Sequence, residues 1–187
     1  MKTNSLILLI ATIFLMNGCS NSSDLSPLTM GKDDAPVLIE EFSDIECPAC
    51  GVISPQVEQI ARANSDIVRL EYYHFPLSYH DYAFIGAEAV ECAENQGKGW
   101  EYLGALFRNQ QNLSDEIFDS LASTFKLNES EFKQCLENHE MKSKITSHQR
   151  KGSQMGIPGT PTLFINGKMV QWPGKEQLDA YIKSLAY

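Results

Sequence analysis

The cysteine pair in Cys47-Pro48-Ala49-Cys50 is the feature that most constrains how this chain folds. The pair follows an apolar, β-rich run at residues 37–42 and precedes a helical pattern that continues to about residue 63. Pro48 suits the first position of a helix, where an N–H group would have no intrahelical partner. Cys47 is therefore expected at a helix N-terminus, where unpaired N–H groups and the helix dipole favour a thiolate. Cys50, one turn later, would share the same helix face and reach Cys47.

A redox-active pair is one interpretation of this motif, and three others stay open. The two cysteines would also fit a structural disulfide, half of a metal site, or two idle thiols. A metal site normally needs a second closely spaced Cys or His pair, and the sequence contains none. We therefore expect redox chemistry and no metal.

The remainder of the chain alternates between strand and helix patterns. Residues 67–75 predict a second strand, and residues 78–155 have helical spacing of apolar residues throughout. Residues 162–165 lead through Asn166-Gly167 into another short apolar run, which is a strong hairpin signal. A last helix is predicted at residues 175–185. The order strand, helix, strand, helical insertion, hairpin, helix predicts an α/β fold.

The N-terminal residues resemble a bacterial lipoprotein signal. The apolar run at residues 6–16 is too short to span a bilayer but has the length of a signal-peptide core. Cleavage after Gly18 would leave Cys19 for lipid attachment. The alternative is an ordinary secretory signal with an incidental cysteine. We expect a signal peptide at 1–18 and a polar tether at 19–30. The mature protein would then lie in the periplasm or cell envelope, with an outer-membrane position open.

The acidic composition argues against one class of partner. A formal net charge of -9 does not suit a general nucleic-acid binder, because phosphate binding needs clustered Lys and Arg.

The chain resembles the DsbA-type branch of the thioredoxin superfamily that carries an inserted helical domain. The resemblance covers nearly everything between Gly31 and Leu185. It implies a thioredoxin-fold domain at 31–77 and 156–187 and a helical domain at 78–155. The motifs that carry it are Asp34-Ala35-Pro36-Val37, Glu41-Phe42-Ser43-Asp44, the cysteine motif, Phe75-Pro76-Leu77 with His80, Gln96-Gly97-Lys98 before Trp100, and Gly156-Ile157-Pro158-Gly159-Thr160-Pro161-Thr162.

The resemblance also implies residue roles. Cys47 would be the exposed nucleophile and Cys50 the resolving thiol. Pro161 would be a cis-proline beside the pair, and Thr160 would present backbone groups to an extended substrate peptide. Glu41 would be the buried acid that moves protons to and from Cys50. The alternative for Glu41 is a strand-end residue that reaches water.

Cys92 and Cys135 fall in two separate helical patterns of the insertion. In an oxidising compartment, two such thiols on packed helices are expected to pair. The resemblance agrees, since relatives of this branch can carry a second, non-catalytic disulfide in the helical domain; two separate buried thiols are the alternative. We expect surface or packing roles for all four histidines, His74, His80, His139 and His148.

The function implied by the resemblance is disulfide exchange with exported or unfolded proteins, without a cofactor, and with reoxidation or reduction by a DsbB-like or DsbD-like membrane partner. A disulfide donor is favoured over an isomerase or reductase, although Thr160 before Pro161 also occurs among the latter. The dipeptide between the cysteines is Pro-Ala, whereas the best-known strong oxidant of the family has Pro-His. This difference leaves the oxidising strength of the pair open. A non-enzymatic surface lipoprotein and a copper-handling protein are the alternatives from other classes.

Overall fold

A computed structural model describes residues 26–186 of the 187-residue chain. It confirms the predicted α/β class and the thioredoxin fold with a helical insertion. The elements are, in chain order, β1 (Leu28–Met30), β2 (Val37–Ser43), α1 (Pro48–Ala63), β3 (Val68–His74), α2 (Ala83–Glu94), α3 (Gly99–Arg108), a 3-10 turn (Gln110–Asn112), α4 (Asp115–Thr124), α5 (Glu129–Glu137), α6 (Lys142–Gln154), β4 (Thr162–Ile165), β5 (Lys168–Val170) and α7 (Lys175–Leu185).

One five-stranded sheet has the order β1-β3-β2-β4-β5. Strands β2 and β3 are parallel, joined by a crossover through α1, and the other neighbours pair antiparallel. The central strand β2 is buried on both faces, along its apolar residues and also at Glu40, Glu41 and Ser43. Because β2 runs directly into α1, the sheet places the cysteine motif at the carboxyl end of its central strand.

The helical insertion packs against this end of the sheet. Helices α2 to α6 lie between β3 and β4 along the chain. Gly86 in α2 allows a close approach, since a Cβ there would lie 2.6 Å from the Cδ1 atom of Ile45, in the loop before Cys47. The insertion therefore contacts the loop that carries the nucleophile.

Strand β1 corrects one predicted boundary. The tether was expected to extend through residue 30, but Leu28–Met30 pair antiparallel with β3, and the Leu28 side chain is buried. The first strand among the described residues therefore begins at residue 28, inside the predicted tether. The predicted signal peptide and Cys19 lie outside the described residues. Among residues 26–186, no helix has the length and apolar character needed to cross a membrane.

Candidate active site

The two cysteines of the motif are free thiols in different environments. Cys47 precedes the first residue of α1 and keeps 8% of its surface exposed, whereas Cys50 is completely buried. The Cys47 thiol donates to the Thr160 carbonyl oxygen at 3.3 Å. The Cys50 sulfur accepts from the Asp44 backbone N–H at 3.5 Å. Only Cys47 is therefore accessible to another protein's sulfur.

The surroundings shift the two thiol pKa values in opposite directions. The Cys50 side chain, by hydrogen bonding to Cys47, is the largest influence that lowers the pKa of Cys47 to about 5. Burial opposes this shift, while the N–H groups of Cys50 and Ala49 add to it. Burial raises the pKa of Cys50, and its interaction with Cys47 raises it further. At neutral pH the reduced site therefore holds a Cys47 thiolate and a neutral Cys50 thiol.

The loop before β4 faces the cysteines across the site. The Thr160–Pro161 peptide bond is cis. The Thr160 hydroxyl is buried and has no hydrogen-bond partner within residues 26–186. A cavity of about 270 Å³ lies beside Pro161, and its lining includes Ile53, Met169 and Trp172. An apolar groove thus adjoins the cis-proline loop.

Glu41 lies in the sheet beneath the cysteines and has 1% of its surface exposed. Its carboxylate accepts a short hydrogen bond from the Ser54 hydroxyl. The Ser54 and Ser43 hydroxyl oxygens are 2.9 Å apart. Burial raises the pKa of Glu41 to about 7, although both serine hydroxyls oppose the shift. The carboxyl group can therefore gain or lose a proton near neutral pH, whereas a strand-end residue in water could not.

A second carboxylate, on Asp44, holds the loop between β2 and α1. One of its oxygens accepts from the Leu77 N–H and from His80 Nδ1, both at 2.8 Å. The other accepts from the Glu46 N–H at 2.8 Å. Sequence reasoning missed Asp44 and treated His80 as a surface or packing residue. The available signal was that Asp44 and His80 both belong to motifs that carry the family resemblance.

The helical insertion also contributes a residue to this loop. Gln110 donates through its Nε2 atom to the carbonyl oxygens of Ile45 at 2.7 Å and Cys47 at 3.0 Å. Sequence reasoning did not single out Gln110, because the contact spans 63 to 65 residues and no local pattern announces it.

Cys92 and Cys135 form a disulfide that joins α2 to α5.

Two histidines lie at the junction of β3 and α6: His74 and His148 are both buried, with their rings stacked 5.9 Å apart. His74 Nε2 is 3.0 Å from Glu91, whose second oxygen accepts from Lys144.

The fold and the site together define a dithiol centre in a thioredoxin fold. The site consists of a nucleophilic thiol at a helix start, a buried partner thiol, a buried acid and a cis-proline loop. A helical insertion closes one side. A family model described as thioredoxin matches residues 23–184. The chain belongs to this thioredoxin family.

Curated proteins match much of this chain. The chain is 32% identical over 156 residues to Na(+)/H(+) antiporter NhaA 3 of Salinispora tropica, covering 82% of this chain and 24% of that protein. It thus spans about a quarter of the length of this curated relative. It is 28% identical over 154 residues to the probable disulfide bond formation protein D of Bacillus cereus, covering 75% of this chain and 70% of that protein.

Solved structures share the fold. Pseudomonas aeruginosa DsbA2 superimposes with a TM-score of 0.67 at 27% identity, over 86% of this chain and 94% of that one. BdbD from Bacillus subtilis gives a TM-score of 0.73 at 23% identity, over 87% and 93% of the two chains.

Proposed function

We propose that this protein is an extracytoplasmic disulfide donor, which oxidises exported or unfolded proteins through Cys47 and Cys50. The observation that carries the proposal is the difference between the two thiols. A Cys47 pKa of about 5 stabilises the reduced form at neutral pH. A dithiol whose reduced form is stabilised makes an oxidising disulfide, because the equilibrium favours passing the disulfide on.

The reaction would proceed in two exchanges. A substrate thiolate attacks the Cys47 sulfur, the Cys47–Cys50 bond breaks, and a mixed disulfide forms between Cys47 and the substrate. A second substrate thiolate then attacks the substrate sulfur of the mixed disulfide, and Cys47 leaves as a thiolate. Its lowered pKa makes it a good leaving group. The groove beside Pro161 would hold an apolar part of the substrate during both steps.

The location and partners form a further part of the proposal. Cleavage after Gly18 and lipidation of Cys19 would anchor the protein to a membrane of the cell envelope. A donor must be reoxidised, so a DsbB-like membrane protein would be its redox partner. An isomerase or reductase would instead be kept reduced by a DsbD-like partner. The anchor is tested by comparing membrane recovery and mass of the wild type with those of Cys19→Ala, which should be recovered without lipid.

The direction of exchange is tested by a glutathione redox titration of the purified protein, with alkylation of Cys47 followed by mass spectrometry. A midpoint potential of about −120 mV is expected of a disulfide donor. A midpoint of about −250 mV or lower would refute the donor role and support an isomerase or reductase. Cys50→Ala is the matched control, because Cys47 then lacks its partner and can form only mixed disulfides with glutathione. If the pair does not titrate at any accessible potential, the redox function is refuted, and a non-enzymatic binding module or a copper-handling protein remains.

A further inference from the structure

Gly51 lies in the first turn of α1, where its backbone has a helical geometry that any residue could adopt. Glycine costs stability at such a position relative to alanine, because it loses more backbone freedom on folding. A Cβ atom at Gly51 would overlap the side-chain oxygen of Gln110, and it would lie 2.7 Å from Cδ and 2.9 Å from Nε2 of that side chain. The absence of a side chain at residue 51 therefore leaves the space that the Gln110 amide occupies.

The Gln110 amide holds two carbonyl groups at the nucleophile. Its Nε2 atom donates to the carbonyl oxygens of Ile45 and Cys47, at 2.7 Å and 3.0 Å. The Cys47 carbonyl also accepts from the Gly51 N–H at 3.1 Å, and the Cys47 N–H donates to the Asp44 carbonyl at 3.2 Å. Gln110 thus supplies, from the helical insertion, one of the hydrogen bonds that fix the Cys47 backbone.

The Cys47 backbone depends on these hydrogen bonds more in the reduced protein than in the oxidised one. In the oxidised protein, a covalent bond to Cys50 ties Cys47 to α1. In the reduced protein only noncovalent contacts hold Cys47, and the N–H groups at the start of α1 stabilise its thiolate only while they point at its sulfur. Loss of the Gln110 contacts should therefore cost the reduced form more free energy than the oxidised form.

We propose that Gln110 is a positioning residue, which holds the Cys47 backbone from the helical insertion and so stabilises the reduced form of the cysteine pair. Gly51 completes the arrangement by leaving room for the amide. This inference rests on the proposed function, because it names a residue that sets the redox equilibrium of the same pair. It gives the insertion a part in disulfide exchange through the contact between its 3-10 turn and the start of α1.

The first test is the ratio of reduced to oxidised cysteine pair in the purified protein at a fixed ratio of reduced to oxidised glutathione. Gln110→Met keeps the length of the side chain but has no donor, so the protein ratio should fall about threefold to tenfold, the net contribution of one hydrogen bond to an equilibrium constant. Gln110→Glu should lower it at least as far, because its carboxylate would face two carbonyl oxygens. Gln111→Met is the matched control: Gln111 is exposed in the same turn, and its substitution should change the ratio by less than about twofold.

Gly51→Ala tests the same contact from the other side. Its methyl group would displace the Gln110 amide, so the ratio of reduced to oxidised pair should fall as in Gln110→Met. In a Gln110→Ala background the displaced atoms are absent, and Gly51→Ala should lower the ratio further by less than about twofold. Two effects that simply add would show that Gly51 acts independently of Gln110, which would overturn the arrangement.

Urea unfolding of the oxidised proteins separates positioning from damage to the fold. Alanine is the better helix former, so oxidised Gly51→Ala should unfold at a higher urea concentration than oxidised Gln110→Met. The redox shifts of these two variants should nevertheless be similar. If the redox shift instead follows the loss of stability from variant to variant, Gln110 only supports the fold, and the positioning role is refuted.

The pH dependence of Cys47 alkylation by iodoacetamide gives a readout that does not depend on the direction of exchange. The midpoint should rise by about half to one pH unit in Gln110→Met, which corresponds to the same change of about threefold to tenfold, and should stay in place in Gln111→Met. An unmoved midpoint in Gln110→Met refutes the positioning role. If the wild-type pair does not titrate with glutathione at all, the proposed function fails, while the alkylation midpoints still decide whether Gln110 acts on Cys47.

Discussion

Replacing Glu41 by glutamine should stabilise the fold at mildly alkaline pH. Glutamine has nearly the shape of a protonated glutamic acid, and its carbonyl oxygen can still accept from the Ser54 hydroxyl that now donates to Glu41. It cannot ionise, so the buried position never carries a charge. Among the described residues, the wild-type carboxylate has no cation as a hydrogen-bond partner, and the serine hydroxyls offset only part of the cost of burial.

The size and sign of the effect follow from the shifted pKa. Burial raises the pKa of Glu41 from an ordinary value of 4.5 to about 7 in the native state. Between these values the native state binds more protons than the unfolded state, so the free energy of unfolding falls as the pH rises. A difference of about 2.5 pKa units corresponds to about 3 kcal/mol. The wild type is therefore not penalised below about pH 4.5, and bears the full penalty above about pH 7.

The assay is urea unfolding at several pH values in a Cys47→Ala/Cys50→Ala background. This background avoids reductant, keeps the Cys92–Cys135 disulfide, and removes the titrating thiols. The difference in unfolding free energy between Glu41→Gln and the parent should grow by about 3 kcal/mol from about pH 4.5 to about pH 8, in favour of glutamine.

The neighbouring glutamate in the same strand provides the control. Glu40 pairs with Lys151 at 2.7 Å, so Glu40→Gln removes a compensated charge and should bring no such pH-dependent gain. If the difference in unfolding free energy between Glu41→Gln and the parent stays constant from about pH 4.5 to about pH 8, the Glu41 carboxyl does not titrate in this range. The reasoning would then be wrong.

Two further predictions concern other parts of the site and fold. Replacing Cys92 and Cys135 by alanine should lower the free energy of unfolding by roughly 4 kcal/mol in urea titrations, because the disulfide closes a loop of 43 residues in the unfolded chain; a loss under about 1 kcal/mol would contradict this. Alkylation of Cys47 by iodoacetamide in the reduced protein should be half-maximal near pH 5, as its lowered pKa requires, and a midpoint near the free-cysteine value of about 8.5 would refute the thiolate assignment.

Sequence patterns predicted most of the scaffold because its signals are local. The apolar run of β2, Pro48 at the start of α1, the Asn166-Gly167 turn and the final helix each depend on neighbours a few residues apart. Strand β1 escaped because three residues after a polar stretch carry no periodic signal, and only pairing with β3 makes them a strand.

The cluster around the cysteines could be predicted only in part, for a similar reason. The resemblance directed attention to Glu41, but nothing local distinguishes Ser43 and Ser54 from solvent-facing serines. Their hydrogen bond joins β2 to α1 across 11 residues, and the Asp44–His80 contact spans 36. Such polar contacts exist only after the sheet, helix and insertion have packed together.

The cost of keeping Glu41 buried is an argument about function. Elsewhere in the sheet, partly buried carboxylates have cationic partners: Glu40 has Lys151, and Glu71 has Arg69. Glu41 has two serine hydroxyls instead, although a leucine or glutamine there would avoid the penalty at neutral pH. A fold that retains this destabilising group gains a carboxyl whose pKa lies near neutrality. Such a group can both give and take a proton under conditions where Cys50 must do the same. The electrostatic penalty and the proton exchange are therefore two consequences of the same burial.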